Sequence, residues 1–218
     1  MREVLAFGDS NTWGLVPGKN IRNRYPREKR WTGILEDKLG DIRVAEEGLC
    51  GRTTVFEDEL RPGRKGVDLL PVLLESHYPV DGAILMLGTN DCKSYYNASA
   101  HTIGIGIERC LDQLEKYVDP QNILLISPIL LGDNVWEPEK DPEFDRKSVD
   151  VCKGLKDVYK KIAAQRGVKF LAASDYATAS EVDDEHLNEE GHQKLAEAIY
   201  EALQPGTCRR GCRRQRTR

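Results

Sequence analysis

The run Gly82-Ala83-Ile84-Leu85-Met86-Leu87 has no polar side chain and is short, so a strand here must be covered on both faces. Val4-Leu5-Ala6-Phe7 and the segment from Asn122 to Ser127 have the same character, and Ile42 to Ala45 and Val168 to Ala172 supply two shorter strands. Strands without a polar face belong to parallel sheets packed between helices. The intervening segments show the matching helical period. These are Trp31 to Leu39, ended by Gly40; Gly66 to Ser76, with Pro71 at an early-turn or kink position; and Ser99 to Lys116. Lys147 to Arg166, closed by Gly167, and Asn188 to Leu203, capped by Asn188, complete the set. The alternation predicts an α/β fold of about five parallel strands with right-handed crossovers and helices on both faces.

Length and charge narrow the partners. A chain of 218 residues, 39% apolar and 31% charged, has the make-up of one soluble globular domain. That domain is expected over 1–204. Residues 205–218 hold six arginines and no acid, without an apolar face, and read as a basic, disordered tail. Without the tail, 26 basic residues face 36 acidic ones, a balance of −10. Such a body suits neither a phosphate backbone nor an anionic membrane surface, so neither partner is expected. No apolar run is long enough to span a bilayer, and the first strand begins too early to leave room for a secretory signal. The six cysteines show neither Cys-x-x-Cys spacing nor a histidine ladder, so the expectation is a cytoplasmic protein with reduced thiols, no metal and no cofactor.

Each predicted strand runs into a loop rich in glycine or small polar residues, and all these loops open on one edge of the sheet, where open α/β folds place their ligands. Ser10 follows the first strand, after Gly8-Asp9. A serine there is more often a turn former or cap, and it gains weight only if the other parts of a hydrolytic site lie downstream. They do. His186 is a candidate base, and Asp183, three residues earlier, can accept from one imidazole nitrogen and leave the other facing Ser10. Asp184 is the second choice for that orienting role. The backbone N–H of Ser10, Gly51 and the amide of Asn90 are candidate donors to a developing oxyanion.

The blocks Gly8-Asp9-Ser10, Gly51, Gly88-Thr89-Asn90-Asp91 and Asp183-x-x-His186 resemble, in order, the four blocks of the SGNH (GDSL) hydrolase superfamily. Gly-Asp-Ser-Asn-Thr-Trp-Gly at 8–14, Arg30-Trp31-Thr32-Gly33, Glu46-Glu47-Gly48-Leu49 and Gly51-Arg52-Thr53-Thr54 are similar to its arylesterase/acyltransferase branch. The resemblance implies a flavodoxin-like three-layer α/β/α sandwich and a metal-free serine esterase that works through an acyl-enzyme. It also implies a triad of Ser10, Asp183 and His186, an oxyanion hole of Ser10, Gly51 and Asn90, and assembly into homo-oligomers. Cys50 stands where the family often has serine, which changes the polarity beside the hole.

The expected substrate is a small-molecule ester with a short, acetyl-like acyl group, with transfer to alcohols as a side activity. A carbohydrate acetylesterase or thioesterase would use the same parts, and a non-catalytic binding module is the alternative from another class. Trp13, Asp9 and Tyr95 are the candidates for contact with substrate, with Tyr96 and Trp136 as further aromatic surface. Trp13 reads equally well as a wall of the site or as packing under its loop. Cys50, next to Gly51, is a rival nucleophile candidate, but it reads better as a buried small hydrophobe. His77, His101 and His192 read as surface or packing residues.

Overall fold

A computed structural model describes residues 2–204; the basic tail predicted over 205–218 lies outside the described residues. Five strands form one parallel sheet in the order β2-β1-β3-β4-β5. They are β1 (Arg2–Gly8), β2 (Ile42–Gly48), β3 (Gly82–Met86), β4 (Ile123–Ser127) and β5 (Lys169–Ala172). This is the flavodoxin-like order, in which the winding reverses between β1 and β3. Both sequence expectations of fold, the parallel sheet and its flavodoxin-like layering, are met.

The alternation of side chains along the strands assigns the helices to layers. Leu5, Phe7, Leu85, Ile123 and Leu125 face one way, into a core completed by α3 (Gly66–Ser76), α4 (Ala100–Leu114) and α5 (Arg146–Arg166). Ala6, Ile84, Met86, Leu124 and Ile126 face the other way, against Trp31 and Leu35 of α2 (Trp31–Leu39) and Leu195 and Ile199 of α6 (Glu189–Leu203). Every residue of β3 and β4 is buried, which the near absence of polar side chains allows. No helix among the described residues is long and apolar enough to cross a membrane.

Helix boundaries follow local chemistry. Asp145 caps α5 in a reciprocal capping box with Ser148, and Gly167 closes the helix at a φ of 69°. Ser99 and Asn188 cap α4 and α6. The second strand extends further than its apolar residues indicate. Glu46, Glu47 and Gly48, expected in a loop, stay paired in register with Ala6, Phe7 and Gly8 of β1. The charged residues are tolerated because their carboxylates are paired: Arg30 Nη2 lies 2.9 Å from Glu46, and His77 Nε2 lies 2.9 Å from Glu47. Gly48 is needed there, since a Cβ would stand 2.2 Å from the backbone nitrogen of Trp13.

Candidate active site

Gly8, Gly48 and Met86 lie side by side at the carboxyl edge of β1, β2 and β3. From Gly8 the chain turns at once into a one-turn helix, α1 (Ser10–Trp13), and a Cβ on Gly8 would collide with Thr12 Oγ1 at 2.0 Å. The Asp9 carboxylate accepts from Asn11 N at 3.0 Å and caps that turn. Gly14, at a φ of 86°, ends it. Ser10 is thereby held at the switch point of the sheet, its side chain aimed across the edge rather than into the core.

The loop after β5 brings the other parts. His186 Nε2 lies 2.9 Å from Ser10 Oγ, and Nδ1 lies 2.9 Å from Asp183 Oδ2. Asp183 can only accept, so Nδ1 carries the proton and Nε2 is left to receive the serine hydroxyl. Asp183 is itself fixed by three backbone donors: Gly18 N at 2.7 Å, His186 N at 3.0 Å and Glu185 N at 3.1 Å. Burial raises its pKa, but the hydrogen bond and charge of His186 outweigh that and leave it below the ordinary carboxylate value. Burial likewise disfavours the imidazolium, yet Glu185 and Asp183 together raise the His186 pKa to about 9.

Two loops supply donors. Gly51, at a φ of 81°, follows β2, and Asn90 follows β3. Asn90 Nδ2 donates one proton to Arg52 O at 3.1 Å. The Arg52 guanidinium donates in turn to Gly8 O at 2.9 Å and to Glu47 O, and stacks over the Phe7 ring. Asp91 accepts from both Thr54 N, at 2.9 Å, and Thr54 Oγ1, which laces the two loops together. Among the described residues, no protein acceptor takes the N–H of Ser10 or of Gly51. Residues 6–194 match the GDSL-like lipase/acylhydrolase family. The chain belongs to that family.

Solved structures agree with this membership. The chain is 35% identical to Est24, a carbohydrate acetylesterase from Sinorhizobium meliloti, with a TM-score of 0.83 over 93% of this chain and 98% of that one. It is 32% identical to the native aryl esterase of M. smegmatis, with a TM-score of 0.85 over the same shares. No curated protein sequence gave a match. These similarities place the chain among the SGNH esterases, as a carboxylic ester hydrolase of α/β fold.

Other predicted residues of this acylhydrolase fall into place by their contacts. Asp184, the second choice for orienting the imidazole, takes a φ of 58° and binds Lys140 Nζ at 2.6 Å, so it does not compete with Asp183. Asp9, expected to touch substrate, is only 1% exposed and serves as the cap of α1. Trp13 is half-buried, with the Arg24 guanidinium 5.0 Å from its ring, so it both packs and borders the turn. Tyr95 is 70% exposed and meets Tyr96 edge-on, while Tyr96 stacks on Phe56 and Trp136 stands on a separate exposed loop. Burial pushes the Cys50 thiol up to about 11, which keeps it protonated at neutral pH and removes it as a rival nucleophile. His192 is fully buried and accepts from Trp31 N at 3.3 Å, a packing role, and His77 bridges Glu3 and Glu47.

Three residues of the site escape sequence reasoning. Glu185 is buried beside the imidazole, with Oε2 3.7 Å from His186 Nδ1. Arg52 joins the ends of β1 and β2 to the Asn90 loop, and Asn11 reaches across to the histidine loop. Asn11 and Arg52 stand within motifs read in the sequence but gain a role only from their contacts, and Glu185 is marked only by adjacency to His186.

Proposed function

We propose that this chain is a serine esterase that removes small, acetyl-like acyl groups by way of an acyl-enzyme. The observation that carries the reading is the unbroken line from Ser10 Oγ through both imidazole nitrogens to Asp183, each link 2.9 Å. Ser10 Oγ attacks the ester carbonyl as its proton passes to His186 Nε2. The carbonyl oxygen takes up negative charge opposite the N–H groups of Ser10 and Gly51 and the free N–H of Asn90. Collapse expels the alcohol, which leaves with the proton held by His186, and Ser10 stays acylated. Water, deprotonated by His186, then attacks the acyl group; the carboxylic acid departs and the serine recovers its proton. An alcohol in place of water gives acyl transfer.

A preference for acetyl on sugar alcohols is supported by the similarity to a carbohydrate acetylesterase, and an aryl leaving group by the similarity to an aryl esterase. Ser10→Ala is expected to lower kcat on p-nitrophenyl acetate by several orders of magnitude in a folded protein, and unchanged turnover refutes the serine mechanism. A chain-length series of p-nitrophenyl esters, run beside acetylated xylo-oligosaccharides, tests the acyl limit and the alcohol. Rates that rise with chain length overturn the small-acyl assignment.

A further inference from the structure

We propose that Asn11 is a positioning residue that sets the histidine loop in register with the nucleophile turn; the proposal rests on the serine-esterase reading above. Ser10 and His186 are 176 positions apart, and the 2.9 Å contact between them joins two separate loops. Asn11 is covalently attached to Ser10 and only 3% exposed, and both ends of its side-chain amide are taken up by protein. Its Nδ2 donates to Glu185 O at 3.3 Å, and its Oδ1 accepts from Leu187 N at 2.9 Å. The backbone groups on either side of His186 are therefore held by the two ends of one planar amide. A donor and an acceptor in a fixed plane constrain both translation and tilt, which a single hydrogen bond cannot do.

The other ties to this loop act elsewhere. Gly18 N holds Asp183, and Gly132 N and Lys140 hold Asp184. The bonds from Glu185 N and His186 N to Asp183 Oδ1, and from Ser180 N to His186 O, are internal to the loop and move with it. Among the described hydrogen bonds, Asn11 alone links Glu185 and Leu187 to α1. Without it, Asp183 and His186 remain paired but drift as a unit relative to Ser10. A misplacement of about 1 Å in a reacting pair can cost on the order of 10² in rate.

The test is Asn11→Leu, which keeps the branched shape and removes both bonds. On p-nitrophenyl acetate, kcat is expected to fall roughly 10- to 100-fold with KM changed less than about twofold. Phosphonylation of Ser10 by a fluorophosphonate should slow by the same factor, while the fraction of molecules that can be titrated stays full. The acid limb of kcat/KM should stay in place, because the Asp183–His186 pair is intact. A merely structural role gives the opposite pattern: a reduced titratable fraction, with normal kcat per titrated site. Wild-type kcat in folded Asn11→Leu overturns the proposal. Should that variant not fold, amide hydrogen exchange on the wild-type protein decides. Protection of the Leu187 amide comparable to that of β1 supports the clamp, and exchange at the rate of an open loop overturns it. Ser10→Ala, run alongside, separates the two levels: turnover there defeats the esterase reading itself, whereas a dead Ser10→Ala with a fully active Asn11→Leu defeats only the clamp.

Discussion

Replacing Glu185 by glutamine should move the pH dependence of the enzyme toward neutrality. The base must be neutral to accept the Ser10 proton, and, against burial, the carboxylates of Glu185 and Asp183 beside it raise the His186 pKa to about 9, which shifts activity toward alkaline pH. Glu185 contributes to that: it is buried, and its Oε2 lies 3.7 Å from His186 Nδ1. Burial raises its own pKa only to about 6, so it is ionised where the imidazole titrates. Unit charges about 4 Å apart attract by about 4 kcal/mol at an effective dielectric of 20, an upper bound here because both charges are spread over several atoms. Taking a third to two thirds of that, at 1.36 kcal/mol per pH unit, the imidazole pKa falls by about one to two in Glu185→Gln. The sign is fixed: removal of a neighbouring negative charge favours the neutral base, so activity appears at lower pH. The assay is kcat/KM for p-nitrophenyl acetate from pH 5 to 10, corrected with Ser10→Ala for uncatalysed hydrolysis. Its acid limb reports the imidazole of the free enzyme. A drop of one pH unit raises kcat/KM at pH 7 about tenfold. A limb that stays where it was, in a folded variant, refutes the idea that Glu185 tunes the base.

Two further outcomes test the division of labour in the site. Asn90→Ala should reduce kcat by about 10²–10³ with little change in KM, because the freed amide donor matters only once the carbonyl oxygen carries charge; a pure KM effect removes Asn90 from the oxyanion hole. Asp184→Asn should leave kcat within about twofold, since Asp184 is committed to Lys140 and an asparagine tolerates its positive φ. A large loss would restore Asp184 to the orienting role.

The sheet is legible in the sequence because it is made of residues with no alternative. A run such as Ile123 to Ile126, without a polar side chain, has nowhere to go but between two layers. The helix ends are marked by residues whose side chains or backbone freedom cap them, among them Ser99, Asn188 and Gly167. The extension of β2 is not legible, because Glu46 and Glu47 look like loop residues until Arg30 and His77 are seen beside them. Asp9 misleads for a related reason. A carboxylate next to a nucleophile suggests contact with substrate, and only the structure shows that it is buried, with one of its oxygens accepting from Asn11 N. The choice of Asp183 over Asp184 to orient the imidazole is legible in the three-residue spacing to His186, and the structure pairs Asp183 with Nδ1 while Asp184 binds Lys140.

The strand order explains why the two halves of the site differ in this way. Ser10, Gly51 and Asn90 leave the ends of β1, β2 and β3, which are neighbours in the sheet and in register at Gly8, Gly48 and Met86. Strand pairing brings their loops to one edge, and the bonds of Thr54 to Asp91 and of Asn90 to Arg52 lace two of them together there. The loop carrying Asp183 and His186 follows β5, which is separated from β1 by both β3 and β4. Strand pairing does not deliver it to Ser10. It must reach back over the sheet edge and be held there by single side chains and backbone groups drawn from distant positions, Gly18 and Asn11 on the nucleophile side and Lys140 on the other. Strand pairing therefore places Ser10, Gly51 and Asn90 at one edge, whereas polar contacts from distant positions, together with the buried Leu187, hold the His186 loop against it. Changes in rate at constant fold should accordingly concentrate in the contacts of the histidine loop, and Asn11, the one that grips both sides of His186, should be the most sensitive of them.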